Sequence, residues 1–361
     1  MEARPRLWAD PPLGCGRCFR LPDAGPEPVA AYLWPGSPRA RGLMLRALRA
    51  VGADAAWEAE LGAIRIGGGE LAVNRALEAL EDTLARPERR AARVLVLPED
   101  RAPHGADIAR AVSLRQLLGM RRAEHLLRVL ASGTLDCHFQ PIVAAADGSR
   151  RLGHEALLRA SGAGGTLAPG RLFASASEAD LLLQLDMAAR AVAARRAAQA
   201  GLDGLLFLNF CPASVLEPGF CPACTVAVLE RTGLDPARVV LEVVESGRIA
   251  DLEHLRAVLD GFHRRGVSVA LDDLGAGFAS LDLLVALRPD FVKLDRELTR
   301  GVARDRFRAA VAHKLVELAA EVGIPVIAEG VEDAADLRWL CEAGVAYVQG
   351  NLIAPPAPAA A

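Results

Sequence analysis

Lysine is almost absent from this 361-residue chain: of 42 basic residues, only Lys293 and Lys314 are lysines. Asparagine is nearly as scarce, limited to Asn74, Asn209 and Asn351. A chain that avoids both, yet places one of each at the end of an apolar run, points to chemistry at those positions. Charge of one sign is lacking too. The formal net charge is −3, which argues against broad binding to a nucleic-acid polymer and leaves any anionic ligand to local cations. No apolar stretch approaches the roughly 18 residues of a membrane span. The first residues have no apolar core of a signal peptide. The seven cysteines are odd in number and scattered, which fits a reducing cytoplasm better than a disulfide framework.

What the chain does have is a series of short apolar runs, each closed by an acidic or amide residue. Residues 153–159 contain Glu155. Leu205–Asn209 ends on Asn209, and Val239–Glu242 on Glu242. Val267–Asp273 ends on Asp272 and Asp273, and Phe291–Asp295 carries Lys293. Val326–Glu329 ends on Glu329, and Ala346–Gln349 on Gln349. Runs of this kind between helical stretches read as strands of a parallel sheet buried on both faces. The strand ends are where a barrel of such strands builds its site. Several carboxylates converging there call for a counter-charge, commonly a divalent metal.

Two parts follow from the patterning. Residues 1–111 form a small α/β domain, with strands at 29–34, 56–66 and 93–97 and helices at 39–50 and 71–86. The second part, 112–361, opens with an amphipathic helix at 113–132 as connector. Strands are then expected at 137–143, 154–158, 205–209, 239–244, 267–272, 291–294, 325–328 and 345–349. Helices at 181–199, 222–232, 251–265, 306–322 and 334–343 lie between them. This order predicts a (β/α)8 TIM-like barrel; an open, doubly wound sheet is the other arrangement it allows.

The motifs themselves resemble a known family. Glu155-Ala156-Leu157-Leu158-Arg159 matches the signature of the EAL domain, the cyclic di-GMP phosphodiesterase barrel. Phe139–Val143 resembles its opening motif, Leu241–Ser246 its LELTES segment, and Asp272–Phe278 its DDFGTGY loop. Val292–Asp295 resembles its KID segment, and Glu329–Glu332 and Gln349-Gly350 complete the order. The resemblance covers roughly residues 120–355 and implies a metal-dependent hydrolase that opens cyclic di-GMP to linear pGpG. It implies two Mg²⁺ or Mn²⁺ ions, one held by Glu155, Asn209, Glu242 and Asp272, the second by Asp272, Asp273 and Glu329. Lys293 would orient water or stabilise developing charge, acting with Glu155, Asp273 and Glu329 as the catalytic group. Arg159 would grip a phosphate, and Gln140 and Gln349 would serve as supporting or substrate contacts beside Asn209. Glu245 would anchor the loop carrying Asp272 and Asp273. Family precedent also implies a homodimer.

The chain departs from the family pattern in places. Leu274, Ala276 and Ala279 replace the usual Phe, Thr and Ser of the loop after Asp273, and Cys211 stands where Ser commonly follows the asparagine. After Gln349 there is little room for a final packing helix, so another segment or a partner must cover that side. A catalytically silent barrel acting as receptor or scaffold is the rival reading. Loss of ligands would favour it, and none is lost. Arg65–Leu71 has a superficial likeness to the GGDEF signature of diguanylate cyclases, but a glycine turn into a helix explains it better. Cys15/Cys18 and Cys221/Cys224 are each at best half of a zinc site or a redox pair.

Overall fold

A computed structural model describes residues 30–122, 126, 129–130, 134–162, 165–216, 220–244, 251–275 and 280–359. They fall into two compact units: residues up to 128 with 170–181, and residues 129–169 with 182–359.

The first unit is built around a five-stranded antiparallel sheet. Its elements in chain order are β1 (Ala30–Trp34), α1 (Pro38–Ala50), β2 (Ala55–Glu58), β3 (Ala63–Ile66), α2 (Gly69–Thr83), α3 (Arg86–Ala91), β4 (Arg93–Leu97), α4 (Gly105–Ile108), β5 (Val112–Ser113), α5 (Leu114–Arg122) and α6 (Pro169–Glu178). The strand order is β2-β3-β1-β4-β5. The single strand expected over 56–66 is a hairpin, turned at Gly62 with φ 61°. Gly68, at φ 94°, makes the turn into α2, so the glycine run does the job a helix entry requires. Leu114 and Leu118 of α5 are buried in this unit's core with Leu33, Met44, Ile64 and Leu80.

The second unit is a closed barrel. Its strands are β6 (Leu135–Ala144), β7 (Arg151–Gly162), β9 (Leu205–Phe210), β10 (Val239–Val244), β11 (Ser268–Leu274), β12 (Phe291–Leu294), β13 (Val326–Ala328) and β14 (Tyr347–Val348), with β8 (Gly165–Leu167) appended to β7. From β7 to β14 successive barrel strands are parallel, and β6 closes the ring by pairing antiparallel with both β14 and β7. The TIM-type barrel expected from the sequence is present, with its first strand reversed. The reason is local. Only residues 145–150 separate β6 from β7, far short of the dozen a parallel crossover needs, and Asp147 turns the chain by accepting from Ser149 N and Oγ.

The outer helices are α7 (Leu182–Gln199), α8 (Pro222–Arg231), α9 (Leu252–His263), α10 (Ser280–Leu287), α11 (Arg296–Thr299), α12 (Arg306–Glu321) and α13 (Ala334–Glu342). Asp251, Asp295, Asp305 and Asp333 cap four of them, each accepting a backbone N–H of the first turn. Beyond β14 the chain runs back along the barrel, and β15 (Ala357–Pro358) pairs antiparallel with β6 at Phe139 and His138. The segment after Gln349 thus lies on the barrel's reversed strand. Inside the barrel, Ile142, Phe207, Val240, Ala270 and Ile327 form one buried apolar layer, with Phe291 and Tyr347 packed against it. Among the described residues no helix is long and apolar enough to cross a membrane.

Candidate active site at the barrel mouth

The period of a strand is two residues, and that spacing sets the site one layer above the apolar plug. Two residues beyond Phe207 is Asn209; beyond Val240, Glu242; beyond Ala270, Asp272. Beyond Phe291 comes Lys293, beyond Ile327 Glu329, and beyond Tyr347 Gln349. On the reversed strand the count runs backwards, from Ile142 to Gln140, which pairs across to Glu155. Seven strand ends and one reversed strand therefore direct their polar residues into one layer at the mouth.

Lys293 is the centre of that layer and has no exposed surface. Its Nζ lies 2.6 Å from Glu242 Oε1, 3.2 Å from Glu155 Oε2 and 3.6 Å from Asp272 Oδ1, and is also ion-paired with Glu329. Gln349 Nε2 donates to Glu155 Oε2 (2.6 Å) and to Gln140 Oε1 (3.0 Å). Gln140 Nε2 in turn donates to the carbonyl of Ala354 (3.0 Å). Asn209 Nδ2 reaches Glu155 Oε1 at a long 3.4 Å. Glu242 is fully buried, and among the described residues its carboxylate oxygens meet no donor besides the Lys293 ammonium.

Consecutive residues of a regular strand face opposite ways, so Asp272 and Asp273 cannot both reach the mouth without a break in the pattern. The break is present. The β11–β12 register shifts between Leu271 and Leu274, and Asp273 adopts a left-handed φ of 57°. As a result Asp272, Asp273 and Glu329 each offer an oxygen within 4.8 Å of the others.

The electrostatics follow from crowding five carboxylates around one ammonium. Burial, reinforced by Glu155, holds the Glu242 carboxyl well above its usual range despite Lys293. Burial likewise raises Asp272 against the opposing pull of Lys293. Asp273 is pushed up to about 6 by burial and by Asp272 and Asp295 beside it. Glu329 is pushed up to about 8, burial together with Asp272 and Glu155 outweighing Lys293. For Lys293, burial acts to lower the value, but Asp272, Glu155, Glu242 and Glu329 overcome it and hold the ammonium well above its ordinary range. Unfavourable carboxylate charge on this scale, five carboxylates with one ammonium among them, fits hard divalent cations bound by oxygen.

Of the residues expected from sequence, Glu155, Asn209, Glu242, Asp272, Asp273, Lys293, Glu329, Gln140 and Gln349 come together in this layer. Arg159 stands apart, four residues or roughly 13 Å further along β7, its Nη1 donating to the carbonyl of Leu158 (2.9 Å). Glu245 and residues 276–279 lie outside the described residues. Two supports were not foreseen. Asp295, buried beside Asp273, caps α11 by accepting from Glu297 N (2.7 Å), and Thr299 Oγ1 donates to the Glu329 carbonyl. An Asp directly after the Lys293 run, opening Arg296–Thr299, was a legible capping signal.

The fold and the site together define a TIM-type barrel protein with a reversed first strand and a carboxylate-rich mouth suited to divalent cations. Residues 123–356 match the family model described as EAL domain, and the chain belongs to that family. Among curated relatives, "Cyclic di-GMP phosphodiesterase PdeL" of Escherichia coli (strain K12) is 32% identical over 151 residues, 42% of this chain and 41% of that protein. "Cyclic di-GMP phosphodiesterase NbdA" of Pseudomonas aeruginosa is 31% identical over 258 residues, 70% of this chain and 33% of that protein. This chain thus spans less than half the length of either. Among solved structures, "PaMucR Phosphodiesterase, c-di-GMP complex" superposes with a TM-score of 0.59 at 28% identity, over 66% of this chain and 98% of that one.

Proposed function

We propose that this chain hydrolyses cyclic di-GMP to linear pGpG in bacterial second-messenger signalling, using two Mg²⁺ or Mn²⁺ ions. The observation that carries the reading is the single layer formed by Glu155, Asn209, Glu242, Asp272, Lys293 and Glu329, with Asp273 brought in by the bulge. The names of the relatives and of the superposed complex support the same substrate. When bound, the cations would supply activation of water and neutralisation of phosphoryl charge.

The remaining roles belong to the chain. Glu155, Asn209, Glu242 and Asp272 would hold one cation, and Asp272, Asp273 and Glu329 the other. Lys293, kept charged by its four carboxylate neighbours, orients the attacking water and stabilises charge that develops on the phosphoryl oxygens. A compact ammonium fits that buried position where a planar guanidinium does not. Gln349 and Gln140 fix the orientation of Glu155 by the hydrogen-bond chain ending at Ala354, and line the substrate side with Asn209. Arg159 pivots from the Leu158 carbonyl to a substrate phosphate, for which its donor fork is suited. Glu245 anchors the loop after Asp273.

The chain acts in the cytoplasm as a homodimer. Leu281 and Val285 on α10, and Phe307 and Val311 on α12, are exposed apolar side chains on helices that follow neighbouring strands. Val285→Lys is expected to shift the species seen by light scattering from dimer to monomer. The activity is tested by incubating the protein with cyclic di-GMP and Mg²⁺ or Mn²⁺ and following pGpG by chromatography, with Glu155→Ala as control. Binding without turnover by the unaltered chain would overturn the enzyme reading in favour of a receptor.

A further inference from the structure

Outside the ring of strand-end residues lies a buried ion pair that the proposed chemistry does not use. Asp186 and Arg190 stand one turn apart on α7, each side chain 2% exposed, with Arg190 Nη1 2.5 Å from Asp186 Oδ2. Taking both charges out of water is costly and is seldom more than offset by their attraction, so what else the pair touches is informative.

It touches the backbone that follows Asn209. Asp186 Oδ1 accepts from Cys211 N (3.2 Å), and Ser214 Oγ donates to Asp186 Oδ2 (2.8 Å). Arg190 lays its guanidinium over the Phe210 ring, with Cζ 5.2 Å from the centroid, and Nη2 meets Met187 Sδ at 3.0 Å. Phe210 and Cys211 are the two residues directly after Asn209. One charge of the pair grips the first by its ring, the other grips the second by its N–H. Among the described residues the Asn209 amide has the 3.4 Å contact to Glu155 as its one side-chain hydrogen bond. Its direction is set by the pairing of β9 with β10, which takes in Asn209 and Phe210, together with the backbone that follows.

We propose that Asp186 and Arg190 are positioning residues, which hold the end of β9 so that the Asn209 amide faces Glu155 and the cation it would share. The inference rests on the reading of Asn209 as a cation ligand. It predicts that Asp186 matters to cation binding only through Asn209, a dependence that a merely structural pair would not show.

The test is a double-mutant cycle on Mn²⁺ affinity, measured by calorimetry on the full chain without nucleotide. Asn209→Ala and Asp186→Asn are each expected to weaken Mn²⁺ by about 10-fold. The double variant is expected to match Asn209→Ala within about 2-fold. Should Asp186→Asn unfold, Arg190→Lys takes its place, keeping the charge while losing the flat face over Phe210. Unchanged affinity in Asp186→Asn or Arg190→Lys, alongside a weakened Asn209→Ala, overturns this inference alone. So do losses that multiply to about 100-fold in the double variant. If the unaltered chain binds no Mn²⁺, or binds it as well with Asn209→Ala, the ligand reading falls and this inference with it.

Discussion

A fully buried ammonium facing Glu155, Glu242, Asp272 and Glu329 makes Lys293 the residue at which the site's electrostatics are most exposed to test. Lys293→Met leaves Glu242, itself wholly buried, without a counter-charge. The metal-free protein is expected to lose about 3–5 kcal/mol of stability in urea unfolding, with part recovered by adding Glu242→Gln. Lys293→Arg is expected to lower turnover by about 100-fold, measured as pGpG formed at saturating substrate. The carboxylates carry their own pH dependence. Asp273, raised to about 6, and Glu329, raised to about 8, hold more protons in the folded than in the unfolded state between roughly pH 4 and 8. Stability of the metal-free protein should therefore fall as pH rises through that window. Lys293, whose value is raised from 10.5, contributes its full share throughout and does not shape the slope. Melting temperatures across pH 4.5–8.5 in EDTA check this, and saturating Mg²⁺ should flatten the curve. The scarcity of lysine was a useful signal here, but an incomplete one. Lys314 is an exposed partner of Glu317 on α12, and what separates Lys293 from it is its place two residues beyond the plug residue Phe291.

At the scale of elements, the bulge in β11 shows which part of the site sequence patterning reaches. The alternation of apolar and polar residues locates Asp272 on the inner face. It cannot place Asp273, because its inward turn depends on a left-handed φ and on a register shift against β12, both properties of strand pairing. Asp273→Asn keeps a side chain that tolerates that backbone and removes charge that Asp272 and Asp295 disfavour. Its metal-free melting temperature is expected to stay level or rise while turnover falls by about 100-fold. Asp273→Val should lose activity and about 1–3 kcal/mol of stability besides. If both variants melt alike, the bulge is not strained in the way the φ value implies. The β6–β7 hairpin was legible in principle from its short Asp147-Gly148-Ser149 connection. Helix α10 was not. Its eight residues, Ser280–Leu287, are too few to establish a helical period, and its identity comes from filling the crossover between β11 and β12. The expected strand over 345–349 shortened to Tyr347–Val348 because the chain turns there to lead its tail back along β6.

For the whole molecule, the two compact units stand in different relation to cations. The barrel unit contains the five carboxylates and Lys293; the N-terminal unit has an apolar core around Leu33, Met44 and Leu80 that has no part in the site. A ligand that binds only the folded barrel stabilises that unit by mass action, by about 2.7 kcal/mol at a hundred times its dissociation constant. It should leave the other unit untouched unless the two unfold together. Calorimetric scans with EDTA and with Mn²⁺ are therefore expected to show two transitions, of which only one moves upward with the cation. Glu155→Ala and Asp272→Ala should each abolish that movement, the first because Glu155 joins Lys293, Gln349 and Asn209, the second because Asp272 belongs to both proposed cation sites. A single transition that moves as a whole would mean that the barrel's charge balance governs the stability of the entire chain. In that case the N-terminal sheet, despite a core of its own, would depend on a cation held at the barrel mouth.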